Sequence, residues 1–220
     1  MTKKRYKGII FDMDGVLWDS EYTYLKSLQK CLYSLIHKNI SIEELSNVIG
    51  MNASDITNLL LEKYQPNVDF DELTRLQSVY FHKELDEDGI QEMDGLTDFL
   101  ERLKSNGYKL SIASSSDMPW ILEVIETLRI EKYFDFSVSG DDIEHSKPNP
   151  EVFNIAANRM ELDKSEIVVI EDSVNGITAA NRANLDVIAY KGSSVKQDTH
   201  EATYEVSSFK EIENMLELYW

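Results

Sequence analysis

From Tyr6 to Phe11 the chain runs through aromatic and β-branched residues with no room for an amphipathic period, the pattern of a buried strand in a parallel sheet. After Ser20 the period becomes helical, with Leu25, Leu28, Leu32, Leu35 and Ile36 recurring along one face. Ser41 and Glu44 stand in capping-box spacing ahead of Leu45, Val48 and Ile49, which predicts a second helix ending near Gly50. A third is expected from about Ser54, with Ile56, Leu59 and Leu60. Pro66 closes that region before a fourth carrying Leu73, Leu76, Tyr80 and Leu85. The acidic run Leu85-Asp86-Glu87-Asp88-Gly89 reads as an extended, solvated return linker, because like charges and glycine keep a chain open. Residues 17–88 are therefore expected to form an all-helical insertion.

Beyond Leu96 the two periods alternate. Leu96, Phe99, Leu100 and Leu103 form one helix face, Gly107 is placed to end it, and Tyr108 to Ala113 is the next strand. Pro119 falls in the first turn of a helix whose Ile121, Leu122, Ile125 and Leu128 face inward. Strands are expected at 134–139, 166–170 and 186–190, helices at about 150–160 and 174–184, and a closing helix through Phe209, Ile212, Met215 and Leu216. Repeated strand–helix units predict an α/β fold with a Rossmann-like, doubly wound parallel sheet over residues 1–16 and 89–220, interrupted by the helical domain at 17–88.

Composition narrows the function. A chain of 220 residues with 42% apolar content suits one ordinary domain and a small second one. No run of eighteen apolar residues and no signal-peptide pattern are present, so a cytoplasmic protein is expected. The formal net charge of −18 argues against nucleic acid or an anionic membrane as partner. An anionic ligand would then need a metal ion or a placed lysine to reverse the local field. The single cysteine, Cys31, rules out an internal disulfide and reads as a packing residue. The histidines at 37, 82, 145 and 200 have no metal-ligand spacing.

The first strand stops at two carboxylates. Asp12 and Asp14 flank one residue and point the same way in extended geometry, and Gly15 lets the chain turn and bring backbone N–H groups to a ligand. Two acids that close repel unless a cation or proton lies between them, which suits a magnesium site with a carboxylate nucleophile. An acidic strand-to-loop corner without chemistry shows the same residues. The stretch Asp12-Met13-Asp14-Gly15-Val16-Leu17-Trp18-Asp19-Ser20 resembles the first motif, DxDGxxxDS, of the haloacid dehalogenase superfamily in its phosphatase and phosphomutase branch.

Ligands of open α/β sheets bind at the carboxyl ends of the strands, where Ser114, Glu171 and Asp172 also fall. The resemblance extends to these. Ser114, in Ser114-Ser115-Ser116-Asp117, takes the place of the second-motif serine, although serines there are usually helix caps. Lys147, in Ser146-Lys147-Pro148-Asn149-Pro150, matches the third-motif lysine, and Glu171-Asp172 is the fourth motif, with Gly176 allowing close backbone approach. The resemblance implies Asp12, Asp14 and Lys147 as catalytic residues, phosphate contacts from Asp14, Gly15, Ser114, Ser115 and Lys147, and Mg²⁺ on Asp12, the backbone carbonyl of Asp14, Glu171 and Asp172. In-line attack by Asp12 would give an aspartyl phosphate, with Asp14 as acid and then base.

The resemblance also implies that the helical insertion is a cap hinged near Asp19, Ser20 and Gly89, with Met51, Asn52 and Ala53 choosing the substrate. Trp18 lines the substrate pocket or packs the cap's base. The expected activity is Mg²⁺-dependent hydrolysis of a small phosphate monoester, with a sugar phosphate as one candidate, by a monomer. A β-phosphoglucomutase-type phosphomutase is the alternative, and a silent binding protein of the same fold the third reading. The mutases carry an arginine in the specificity loop, a lysine and an asparagine after the second-motif serines, and a histidine in the first cap helix. The matching stretches here are Gly50-Met51-Asn52-Ala53-Ser54, Ser116-Asp117-Met118 and Glu21-Tyr22-Thr23-Tyr24, which lack these groups.

Overall fold

The structure, a computed structural model, describes residues 6–48, 53–195 and 197–218. The chain divides into two compact units, Met1–Asp19 with Gln91–Trp220, and Ser20–Ile90.

The first unit is built on a six-stranded sheet of order β3-β2-β1-β4-β5-β6, parallel throughout. Its strands are β1 (Gly8–Phe11), β2 (Lys109–Ala113), β3 (Phe136–Val138), β4 (Ile167–Glu171), β5 (Asp186–Tyr190) and β6 (Tyr204–Val206). This is the expected Rossmann-like α/β arrangement, in which the reversal of strand order opens a crevice at the carboxyl ends of the central strands. Every residue of β1 and β4 is buried, as strands covered on both faces require.

One face carries Ile10, Ile167, Val169 and Val187 against the buried sides of α7 (Glu151–Met160) and α8 (Val174–Arg182). On the other face Phe11 meets Phe99 of α5 (Leu96–Ser105) edge-on at 6.1 Å, and Phe99 stacks on Phe209 of α9 (Phe209–Met215) at 5.0 Å. Helix α6 (Met118–Thr127) follows β2 and starts, as expected, with proline in its first turn. Strand β6 is not signalled by the sequence. Its three residues lie between Ala202-Thr203 and Ser207-Ser208, too short a run for a period, and their backbone pairing to β5 makes them a strand.

All described elements of the second unit are helical: α1 (Ser20–Ile36), α2 (Ile42–Leu45), α3 (Ala53–Tyr64) and α4 (Phe70–Asp88). Leu25, Leu28, Leu32, Leu45, Ile56, Leu60 and Leu73 form its buried interior. Ser41 caps α2 by accepting the Glu44 N–H at 3.1 Å, and a short 3₁₀ turn, Ser46–Val48, follows. The expected end of that element near Gly50, with Ile49, lies outside the described residues. Cys31 is buried and its thiol pushed up to about 11 by that burial, which fits packing.

The acidic run at 85–88 is not the extended linker that its charges suggest. Helix α4 continues to Asp88 and ends at Gly89, whose φ is 70°. Two lysines one turn apart on α1 offset part of the run's charge: Lys26 forms an ion pair with Glu84 at 3.1 Å and another with Asp88, while Lys30 donates a hydrogen bond to Glu87 at 3.0 Å and forms an ion pair with Glu84. The unit boundaries also fall later than residues 16 and 88. Leu17 and Trp18 are tied to the sheet unit by the Met93 N–H, 3.0 Å from the Leu17 carbonyl, and by a Trp18–Glu92 bridge.

Candidate active site

The loops after β1, β2 and β4 meet at one end of the sheet. The Asp12 N–H donates to the Ile170 carbonyl at 2.9 Å, extending the ladder by one residue before the chain turns. Asp14 lies two residues on, and Gly15, at φ 76°, closes the turn with its N–H on the Trp18 carbonyl at 3.0 Å.

Asp12, Glu171 and Asp172 are all buried, and each offers a carboxylate oxygen within 4.8 Å of the others. Lys147 joins them. Its side chain is 7% exposed, and its ammonium pairs with Asp12, donates to Glu171 at 2.8 Å and lies 4.8 Å from the centroid of the Phe153 ring. It comes from the loop before α7, which contains a cis Lys147–Pro148 bond, and the Pro148 carbonyl is held by Arg182 at 3.0 Å. The other Glu171 oxygen accepts the N–H of Ser173 at 2.7 Å and its hydroxyl at 3.0 Å.

Three carboxylates to one ammonium leave the cluster short of positive charge. Burial raises the Asp12 carboxyl well above the usual range; Lys147 opposes this, while Glu171 and Asp14 add to it. Burial pulls the Lys147 ammonium down, but Asp12 and Glu171 outweigh it and hold Lys147 above its usual range. All-oxygen donors with surplus negative charge suit a hard divalent cation.

Two glycines make room for this cluster. A Cβ on Gly15 would overlap the Asp172 carboxylate, and one on Gly176 would overlap that of Glu171. Gly176→Ala is therefore expected to displace Glu171 and to lower stability by about 1–3 kcal/mol, as overpacking does. A thermal melt measures this, and an unchanged value would free Glu171 from that constraint.

Asp14 is not one of the three residues whose oxygens lie within 4.8 Å of one another; its carboxylate accepts the Ser116 hydroxyl at 3.1 Å. Ser114 is buried, with its hydroxyl accepting the Ser116 N–H at 3.0 Å, and Ser115 is exposed. The cap of α6 is not Ser114 but Asp117, which accepts the Trp120 N–H at 2.9 Å. Nothing in the sequence marks Ser116 as a partner of Asp14 beyond its being the third hydroxyl in Ser114-Ser115-Ser116. Trp18 is buried. Ala53 is exposed at the start of α3 in the helical unit, while Met51 and Asn52 lie outside the described residues.

Residues 9–190 match the family model of haloacid dehalogenase-like hydrolases. A phosphorylated carbohydrates phosphatase of Thermotoga maritima is 33% identical over 191 residues, covering 83% of each chain. A phosphoglycolate phosphatase of Salmonella typhi is 28% identical over 200 residues, 80% of this chain and 78% of that one. Among solved structures, a Thermotoga maritima protein proposed to be a β-phosphoglucomutase superposes with a TM-score of 0.80 at 27% identity, over 96% of this chain and 98% of that one. The chain belongs to the haloacid dehalogenase-like hydrolase family.

Proposed function

We propose that this hydrolase is a Mg²⁺-dependent phosphatase of small phosphate monoesters, sugar phosphates among them, in the cytoplasm. The observation that carries the reading is the separation of two acids on one turn: Asp12 within the buried cluster of Lys147, Glu171 and Asp172, and Asp14 outside it on Ser116. The name of the Thermotoga phosphatase supports phosphorylated carbohydrates as the substrate class.

In this reading an Asp12 oxygen attacks phosphorus in line, the ester P–O bond breaks, and the Asp14 carboxyl gives its proton to the departing alcohol oxygen. The Asp14 carboxylate then takes a proton from water, whose oxygen attacks the aspartyl phosphate, releasing phosphate and restoring Asp12. Lys147 offsets charge on the transferring group, while Gly15, Ser114 and Ser115 supply donors for its oxygens. Asp12, Glu171, Asp172 and the Asp14 carbonyl would hold Mg²⁺, which when bound supplies further charge stabilisation to the phosphoryl oxygens. The helical unit, inserted between the first two motifs, is assigned the role of a substrate-selecting cap.

Purified protein with Mg²⁺ is expected to release phosphate from members of a phosphate-ester panel and to lose that activity on chelation, regaining it with Mg²⁺. Activity surviving exhaustive chelation would refute the metal assignment, and no release from any ester would refute the phosphatase. The likeness to the proposed β-phosphoglucomutase makes a mutase the second reading. β-Glucose 1-phosphate with a trace of glucose 1,6-bisphosphate decides between them: rapid glucose 6-phosphate formation without comparable phosphate release would establish the mutase.

A further inference from the structure

We infer that the alcohol side of this site selects an uncharged, hydroxylated alcohol and disfavours one bearing a second negative group, with Trp18 and the pair Asp117 and Asp141 as the selecting residues. The inference rests on the phosphatase reading, because Asp14 marks the side on which the alcohol departs.

Trp18 is fastened to the Asp14 turn: its backbone forms a parallel bridge with Asp14, and its carbonyl accepts the Gly15 N–H. Its indole meets that of Trp120 edge-on, with centroids 5.9 Å apart and planes at 66°. Trp120 lies in the first turn of α6, four residues after Ser116, the hydroxyl that donates to Asp14. The two indoles thus join the loops after β1 and β2 beside Asp14. The Trp18 Nε1–H belongs to a residue only 1% exposed and has no acceptor among the described residues. Buried donors are nearly always paired, since leaving water without a replacement acceptor costs free energy. A substrate hydroxyl oxygen supplies the missing acceptor.

The start of α6 sets the charge selection. Asp117 accepts the Trp120 N–H at 2.9 Å and Asp141 the Met118 N–H at 2.9 Å. The N-terminus of this ten-residue helix, an end that ordinarily attracts anions, is therefore occupied by the chain's own carboxylates. Both belong to exposed residues, and Asp117 directly follows Ser116. A distal carboxylate or phosphate on the substrate meets two negative charges where it would need donors. A hydroxyl meets acceptors. One unit charge about 7 Å away in water weakens binding of a like charge roughly two- to threefold, so the pair predicts about five- to tenfold.

The test compares kcat/KM of the wild type, Trp18→Phe and the double variant Asp117→Asn/Asp141→Asn on glycerol 2-phosphate, phosphoglycolate and phenyl phosphate with Mg²⁺. Asparagine keeps an acceptor oxygen for the helix start. The wild type is expected to favour glycerol 2-phosphate over phosphoglycolate, the double variant to narrow that preference about five- to tenfold, and added salt to shrink the difference. Trp18→Phe is expected to lower the preference for glycerol 2-phosphate over phenyl phosphate about tenfold or more, chiefly through KM, as loss of one well-placed hydrogen bond does. If Trp18→Phe does not fold, the double variant decides alone. Equal use of phosphoglycolate and glycerol 2-phosphate by the wild type, or ratios unmoved by the variants, overturns the inference while phenyl phosphate hydrolysis leaves the phosphatase standing. No phosphate from any of the three brings down both.

Discussion

Asp12→Asn is expected to lower kcat for phosphate-ester hydrolysis by at least about a thousandfold, a loss of roughly 4 kcal/mol of transition-state stabilisation, while the protein stays folded. The substitution keeps the size and planarity of the side chain and removes the anionic oxygen proposed to attack phosphorus. An amide is far too weak a nucleophile to replace it. Folding should survive because the site already carries more acid than base: Asp12 is a buried carboxyl pushed upward by its surroundings, and Lys147 keeps Glu171 at 2.8 Å when Asp12 is neutralised. A shift in Tm of about 2–4 °C, equivalent to about 1 kcal/mol in a chain of this length, is the expected scale. Turnover within tenfold of the wild type would remove Asp12 from its role as nucleophile.

Lys147→Ala should damage both activity and stability. Its ammonium is buried with two carboxylates and the Phe153 ring, so truncation leaves Asp12 and Glu171 facing one another without their shared partner. Removing one member of a buried ion pair typically costs about 3–5 kcal/mol, here on the order of 6–12 °C in Tm or more. Turnover should fall about a hundredfold or more, because a preorganised cation acts strongly on the transferring phosphoryl group in a site of low effective dielectric. Added Mg²⁺ should recover part of the lost stability, since it offsets the same carboxylates, but not the turnover. Lys83→Ala, at a lysine 60% exposed in the helical unit, is the control. Equal behaviour of the two variants would remove Lys147 from any role in turnover or in holding the buried carboxylates.

Element positions were readable wherever the pattern was local. The buried runs of β1 and β4 and the 3.6-residue period of α1 and α5 each lie within a dozen or so neighbouring residues, so hydrophobic spacing alone locates them. The acidic end of α4 gives no local sign of its helix, for the complementary reason. Its cations, Lys26 and Lys30, lie 57 to 62 residues away, and without them three successive carboxylates, Asp86, Glu87 and Asp88, look like solvated chain. Strand β6 is three residues long and exists through its ladder with β5, so no period within it announces a strand.

The sequence by itself determined the α/β class, the strand–helix alternation and the carboxylates and lysine at the strand ends, because motif spacing and hydrophobic period are properties of contiguous residues. Only the tertiary structure decided what those residues do to one another. Lys147 reaches Asp12 across 135 positions and Ser116 reaches Asp14 across 102, separations over which local spacing carries no geometric information. The spaces that Gly15 leaves for Asp172 and Gly176 for Glu171 are likewise products of packing. A glycine in a motif shows that a side chain is missing, and only the fold shows which carboxylate occupies its place.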